Sequence, residues 1–287
     1  MERPVYLSTT AFASSDLDDI LGVCERHRID ALELSTVGRY DLARIGQTTY
    51  PSRYLVHNYF PPPPQPFVLN LASQDPGVLA ASTAHCRGAI ELSAKIGGPV
   101  YAAHGGYLAD LRPGQLGDPA SQATIDPGQL VPYERGYATL VESASALARA
   151  AAPQGVRFLV ENHVLSPLNG PSGSRLLPMV RGEELARLGG DVHDAAFGVL
   201  VDVGHLNVAA GTLGFDRHRF IDTVAPYIGV FHLSSNDGVT DQHRGFGADA
   251  WFLPRLREFP DAVVTVELSR VGVDELLTVR DVVEAWL

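Results

Sequence analysis

Short apolar runs that each end in a histidine or an acidic residue recur along this 287-residue chain. They include YLVH, VYAAH, FLVE, GVLVD and VVTVE. Continuous apolar runs of this length are typical of parallel strands that are buried on both faces. Because the carboxyl ends of such strands meet at one edge of the sheet, we expect the polar residues that end the runs to converge. The runs therefore constrain both the fold and the place of its chemistry.

Eight strands of this kind are predicted, at Val5–Ser8, Ala31–Leu34, Tyr54–His57, Val100–His104, Phe158–Glu161, Gly198–Asp202, Gly229–His232 and Val263–Glu267. Helical spacing of apolar residues follows several of them, at Asp16–His27, from Pro76 to near Gly97, at Glu134–Ala152 and at Val273–Leu287. Eight βα repeats predict a single-domain α/β protein over residues 1–287, a (β/α)8 TIM barrel. The main alternative is a doubly wound open sheet. That fold normally carries a glycine-rich loop after its first strand, and YLSTTAFASS has no glycine.

Three long segments without a clear period follow predicted strands, at Asn58–Gln74, Gly105–Pro132 and Asn162–Pro178. In a barrel of this kind, the segments that follow strands lie on the catalytic face. Long loops there commonly act as lids or as walls of the substrate site. We therefore expect these segments to surround the site.

The composition limits the classes of partner. A formal net charge of −11 and a single lysine, Lys95, argue against a nucleic-acid or anionic-membrane surface. The chain has no apolar run of about 18 residues and no charged leader followed by an apolar segment. Cys24 and Cys86 form no CxxC or disulfide pattern. Together these features predict a cytoplasmic protein with reduced cysteines and leave a homo-oligomer open.

Four residues that end the fifth to eighth strands suggest a metal site: Glu161, Asp202, His232 and Glu267. Neighbouring strands lie about 4.8 Å apart, so four successive strand ends can surround one cation. Three carboxylates and one imidazole suit Mn²⁺, Mg²⁺, Co²⁺ or Zn²⁺. Any one of these residues alone has an ordinary alternative role as a capping carboxylate or a hydrogen-bonded core histidine. The four together predict a metal centre.

Five further residues form an outer set that we expect to bind additional metal or substrate: His57, His104, His205, Asp241 and His243. The first two close the third and fourth strands. His205 follows Asp202 in a D-x-x-H step, and Asp241 and His243 form a D-x-H pair whose side chains would point the same way in an extended segment. The alternative for the pair is a polar turn without metal. For the strand-end histidines it is hydrogen bonding to the backbone.

Several of these motifs resemble those of the xylose isomerase-like TIM barrel superfamily, which includes sugar phosphate isomerases and epimerases and is related to the family-two AP endonucleases. The resemblance rests on VEN at Glu161, LVDVGH at Asp202–His205, HLSSNDGVTDQHRGFG at His232–Gly247 and VTVELS at Glu267. The chain departs from the usual sequence of that superfamily at Ser235, where an aspartate is common.

The resemblance implies a divalent-metal-dependent isomerase or epimerase of a sugar, sugar phosphate or cyclitol that acts through a metal-stabilised enediolate. It implies that Glu161 and Glu267 are both metal ligands and acid/base groups. One to three ions per chain and a small carbohydrate substrate are expected. We also expect substrate contacts from Glu33, His163, Arg244 and Arg270, in addition to the outer set.

Two other enzyme classes share these residues. The nine positions also resemble the trinuclear zinc site of the family-two AP endonucleases, and HNYFPPPPQPFVLNLAS resembles the text after the first zinc histidine there. The loop STVGRYDLARIGQTTYPSR would then face DNA, although a solvated loop is its ordinary interpretation. A dehydratase or lyase of the same superfamily is a second alternative. A non-catalytic sugar-binding or scaffold role would predict an incomplete ligand set.

Overall fold

Eight parallel strands close into a barrel in chain order, with β8 paired to β1. The computed structural model describes residues 3–287, apart from the side chains of Ser172 and Ser174, so the first two residues of the predicted domain lie outside the described part. The strands are β1 (Val5–Ser8), β2 (Ala31–Leu34), β3 (Arg53–His57), β4 (Val100–His104), β5 (Arg157–Glu161), β6 (Phe197–Asp202), β7 (Ile228–Leu233) and β8 (Val263–Val266). All eight predicted strands are present with ends that differ by at most one residue. The TIM barrel prediction is confirmed.

Helices surround the barrel: α1 (Leu17–His27), α2 (Pro76–Lys95), α3 (Pro119–Ala123), α4 (Tyr133–Ala151), α5 (Gly170–Leu176), α6 (Gly182–Val192), α7 (Val203–Leu213), α8 (Arg217–Val224) and α9 (Val273–Glu284). Between β7 and β8 the described chain has only a short 3₁₀ helix, Leu253–Glu258, in place of an α-helix. The closing helix ends three residues before the predicted end at Leu287. No helix among the described residues has both the length and the hydropathy that crossing a bilayer requires.

The alternation of side chains along the strands explains how the site is formed. One apolar cluster fills the middle of the barrel and consists of Tyr6, Ala31, Leu55, Val100, Ala102, Leu159, Leu200 and Val230. Alternate strand residues point to the same side of a sheet. The residues two positions beyond six members of this cluster are Glu33, His57, His104, Glu161, Asp202 and His232. A polar layer therefore lies directly above the apolar one, at the carboxyl ends of the strands.

The long helix α2 begins at a well-formed cap. The Asp75 carboxylate accepts hydrogen bonds from the backbone N–H groups of Gly77 and Val78, at 2.7 and 3.1 Å, and Pro76 occupies the first turn. We expect Asp75→Ala to lower the free energy of unfolding by about 1 kcal/mol, because two N–H groups lose their acceptor. Urea denaturation measures this loss. Asp75→Asn, which keeps an acceptor oxygen, is the control, and equal loss in both variants would contradict the capping role.

Candidate metal centre

The polar layer at the mouth of the barrel is centred on Glu161, whose side chain is 1% exposed. Its Oε2 lies 3.5 Å from His57 Nε2 and 3.6 Å from His104 Nε2, and its Oε1 lies 3.3 Å from His205 Nδ1. The first two distances are too long for strong hydrogen bonds. They leave room for a cation that both atoms of a pair would bind. The spacing fits atoms that share an ion.

His232 is held between two carboxylates on either side of its ring. Its Nδ1 lies 2.9 Å from Glu267 Oε2, and its Nε2 lies 2.9 Å from Glu33 Oε2. Burial opposes the charged imidazole, but the two carboxylates outweigh it and raise the pKa of His232 well above its ordinary value. Burial likewise opposes ionisation of Glu267, yet the nearby His232 holds the pKa of that carboxyl well below its usual range.

A third group forms where the loop after β7 returns to the mouth. Asp241 Oδ2 lies 3.1 Å from His205 Nε2 and 2.8 Å from His243 Nε2. Burial disfavours protonated His243, but the hydrogen bond with Asp241 and the nearby charge of Glu267 raise its pKa to about 9. The D-x-H pair and the D-x-x-H step of the sequence thus come together, as predicted.

The first turn of α7 brings His205 beside Asp202. Asp202 Oδ1 accepts a hydrogen bond from the His205 backbone N–H at 2.8 Å and so caps the helix. His205 Nδ1 donates to the backbone oxygen of Asn162 at 2.9 Å. Glycine at position 204 allows close packing in this turn, because a Cβ there would lie 2.5 Å from Ser234 Oγ, just after β7. The two hydrogen bonds therefore hold the Asp202 carboxylate and the His205 ring in fixed directions.

Buried oxygens without a partner test whether these residues fit a cation. Among the described side chains, Glu161 Oε2, Asp202 Oδ2 and Asp241 Oδ1 are buried and accept no hydrogen bond. Burial raises the pKa of the Glu161 carboxyl to about 8 and also raises that of Asp202. Such carboxylates are costly to bury unless a positive charge neutralises them. The donor set of carboxylates and imidazoles suits a divalent cation, so the residues fit a metal centre.

Four groups of three side chains have ligand atoms that lie within 4.8 Å of one another. They are Glu161–Asp202–His205, Asp202–His232–Glu267, His205–Asp241–His243 and Glu33–His57–His232. His104 joins the assembly through Glu161. All nine residues that the sequence indicated therefore meet at one mouth, and Glu33 joins them.

A cavity of about 610 Å³ opens above the centre. It is lined by His104, His163, His205, Asp241 and His243 from the polar layer and its margin, and by residues of the three long loops, including Tyr59, Tyr107, Leu116, Gln122, Ser166, Leu168 and Asn169. The segments that were expected to form walls do so. A larger cavity of about 1090 Å³ lies at the opposite end of the barrel, around the starts of β1 to β3, and none of the metal-centre residues lines it.

The four additional residues expected at the substrate lie in different places. His163 is buried and lines the cavity, whereas Arg244 and Arg270 are exposed and do not line it. Arg244 instead pairs its backbone with Ser235, in two hydrogen bonds of 2.8 Å. Glu33 is buried beneath the cavity and contacts His232.

Two residues that the sequence did not single out position the ligands. Asn162 joins β5 to β6: its Oδ1 accepts from the Asp202 N–H at 2.8 Å and its Nδ2 donates to the Asp202 oxygen at 3.1 Å. Thr265 donates to Glu33 Oε2 at 3.2 Å. Asn162 directly follows Glu161 in the VEN motif, so its place in the sequence could have indicated a role at the site. From the sequence alone, Thr265 is only a residue of a predicted strand.

The contact between Glu33 and His232 predicts an effect on metal affinity. If His232 Nδ1 faces the ion with Glu267, then Nε2–H donates to Glu33 and the ring is fixed in one tautomer. We expect Glu33→Gln to weaken metal binding by about 10- to 100-fold. Competition with a chromophoric chelator measures the affinity. Glu91→Gln, at an exposed position on α2, is the matched control. An affinity of Glu33→Gln within about twofold of wild type would contradict this role.

The chain belongs to the xylose isomerase-like TIM barrel family, whose sequence profile matches residues 18–286. No curated protein matches the sequence closely enough to narrow the family further.

Several solved structures are similar. A D-tagatose 3-epimerase-like protein has a TM-score of 0.73 at 18% identity, with 99% of this chain and 96% of that chain covered. An L-ribulose 3-epimerase has a TM-score of 0.67 at 14% identity, over 97% and 91% of the two chains. The TTHB071 protein of Thermus thermophilus, soaked with ZnCl2, has a TM-score of 0.61 at 19% identity, over 98% of each. At these identities the similarity shows the fold.

Proposed function

We propose that the chain is a divalent-metal-dependent isomerase or epimerase that acts on a sugar, a sugar phosphate or a cyclitol. The observation that carries this proposal is the buried set of Glu161, Asp202, His232 and Glu267 at successive strand ends beneath a cavity. The names of similar structures, a D-tagatose 3-epimerase-like protein and an L-ribulose 3-epimerase, support the same class of reaction.

The chemistry that we assign to the site is proton transfer beside a carbonyl. A divalent cation held by these four residues would polarise the carbonyl and make the neighbouring C–H bond more acidic. Glu161 ends β5 and Glu267 follows β8, so the two carboxylates enter the mouth from strands that are not neighbours. One carboxylate would remove the proton, and the other would return a proton to the opposite face of the same carbon. Inversion at that carbon gives an epimer.

Burial of the two glutamates supports their role as proton-transfer groups. Glu161 and Glu267 are 1% and 8% exposed. Little solvent reaches them, and a substrate in the cavity would close the remaining path. A proton held at either carboxylate would therefore exchange with the substrate rather than with bulk water during the bound interval.

A metal-dependent phosphodiesterase is the second candidate, because the outer set also converges. His57 and His104 meet Glu161, and His205, Asp241 and His243 form another group of three, as a site for several ions requires. Two features oppose a duplex DNA substrate. The formal net charge is −11, and no lysine or arginine lines the cavity in the described chain. A DNA enzyme needs cationic contacts along the phosphate backbone.

The experiment that tests the proposal compares both reactions on one metal-loaded sample. Solvent deuterium incorporation into a panel of ketoses, followed by mass spectrometry, reports proton transfer, and cleavage of an abasic duplex reports phosphodiesterase activity. Metal content per chain is measured on the same sample. We expect deuterium incorporation without DNA cleavage. Cleavage of the abasic duplex without incorporation would contradict the proposal, and loss of water from the sugar would indicate the dehydratase alternative.

A further inference from the structure

The described side chains that line the cavity above the candidate metal centre include no lysine or arginine. Asp241 is the acidic side chain of the lining, and its Oδ2 lies 3.1 Å from His205 Nε2 and 2.8 Å from His243 Nε2. A phosphate or carboxylate on a substrate is usually bound by an arginine fork or a lysine. The described lining therefore offers neither of these side chains to an anionic group of a substrate.

The same wall presents an apolar side as well. Leu116, Leu168 and Leu177 line the cavity together with Pro119 and Val164. The wall is held by polar contacts between loops. Asn169 Nδ2 donates to Gln122 Oε1 at 2.7 Å, and Ser166 Oγ donates to the Val239 oxygen at 2.8 Å. A surface of apolar groups with few polar ones suits a molecule that presents both C–H faces and hydroxyl groups, as a sugar or cyclitol does.

His163 supplies one polar group of defined direction. Its Nδ1 lies 2.6 Å from the backbone oxygen of Pro178. Because a carbonyl oxygen can only accept, Nδ1 carries the hydrogen, and Nε2 of the neutral ring is an acceptor. Nε2 is buried and has no partner in the described protein, and the side chain lines the cavity. His163 is in none of the groups of three that could hold a metal ion.

The ring of His163 is also fixed in place. It stacks on His104 with centroids 4.9 Å apart and an interplanar angle of 16°, and the Tyr107 ring lies 5.0 Å away on centroids. The His163 backbone N–H donates to the Met179 oxygen at 3.0 Å. Backbone, stacking and tautomer together leave Nε2 little freedom, so it is a fixed acceptor for a donor group of a ligand in the cavity.

We propose that His163 Nε2 accepts a hydrogen bond from a hydroxyl of the substrate and that the cavity selects uncharged, polyhydroxylated substrates over their phosphate esters. This inference rests on the proposed function and narrows its substrate class. A buried acceptor that a ligand leaves unpaired costs affinity, so a site of this kind discriminates against ligands that lack the hydroxyl.

The test uses the metal-loaded protein and matched pairs of probes: D-fructose with D-fructose 6-phosphate, D-tagatose with D-tagatose 6-phosphate, and D-ribulose with D-ribulose 5-phosphate. Deuterium incorporation from D2O is measured for both members of each pair. His163→Phe keeps an aromatic ring but removes the acceptor, and His163→Gln restores an acceptor oxygen. His27→Gln, at an exposed position on α1, is the matched control.

We expect faster incorporation into a free ketose than into its ester. We also expect a loss of kcat/KM of about 10- to 100-fold in His163→Phe with wild-type metal content, partly recovered in His163→Gln. A purely structural role for His163 would change metal content or thermal stability instead. Preference for an ester, or wild-type kcat/KM in His163→Phe, would overturn this inference and leave the proposed function standing. If none of the probes incorporates deuterium, the result contradicts the proposed function, and the inference that rests on it fails as well.

Discussion

Glu267→Gln is expected to slow proton exchange beside the substrate carbonyl by about 100- to 10,000-fold. Glutamine has nearly the size of glutamate and keeps one oxygen beside His232, so the barrel and most of the ligand set remain. What it lacks is a carboxylate that can accept or return a proton. Glu267 is buried and its carboxyl pKa is held low by His232, so its ionised form dominates at neutral pH in the wild type.

The measurement is the rate of deuterium incorporation into a reactive ketose, with metal content determined on the same sample. Glu142→Gln, at an exposed position on α4, is the matched control and should exchange at the wild-type rate. Glu161→Gln should lose activity to a similar degree. If Glu267→Gln retains its metal and exchanges at the wild-type rate, Glu267 is not one of the two proton-transfer groups.

Removal of the metal is expected to lower the thermal stability strongly. Glu161 Oε2, Asp202 Oδ2 and Asp241 Oδ1 are buried without a hydrogen-bond partner, so the folded protein without an ion holds uncompensated polar groups. A cation at about 1,000 times its Kd stabilises the folded state by about 4 kcal/mol. For a chain of this size, that free energy corresponds to a Tm change of roughly 8 to 16 °C.

Calorimetry of the chelator-treated and metal-reloaded protein measures this difference. Asp202→Asn serves as the comparison, because it weakens the site and should show a smaller rise in Tm on reloading. Glu142→Gln should show the full rise. A Tm that is the same with and without metal in the wild type would contradict a metal centre built from these buried carboxylates.

Most of the barrel could be predicted because its signal is local. Buried parallel strands require continuous apolar runs, and helices between them require a different period, so all eight strands and four of the helices could be recognised in the sequence. The helices α6, α7 and α8 were not placed from the sequence, and neither were the short helices α3 and α5. These two short helices have five and seven residues and no clear period, and contacts such as Asn169 with Gln122 hold the segments around them. Tertiary contacts of this kind leave no periodic pattern in the local sequence.

The convergence of the site residues could be predicted as well, because strand order places successive strand ends side by side. The contacts that each side chain makes at the site could not be predicted. Glu33 was expected at the substrate, and its carboxylate lies against His232, a contact between residues 199 positions apart. Arg244 and Arg270 were expected there because they lie close to motifs in sequence. Both side chains are exposed, and Arg270 has a positive φ of 47°. Nearness along the chain does not determine the direction of a side chain.

The measurement that tests the central claim most directly is the isotopic content of product formed in D2O by the metal-loaded protein. Two carboxylates that act on opposite faces predict an epimer that carries one deuterium at the inverted carbon, while the remaining substrate carries none. The protein without metal should form no product. An epimer that keeps the substrate's own hydrogen at that carbon would contradict proton transfer by Glu161 and Glu267.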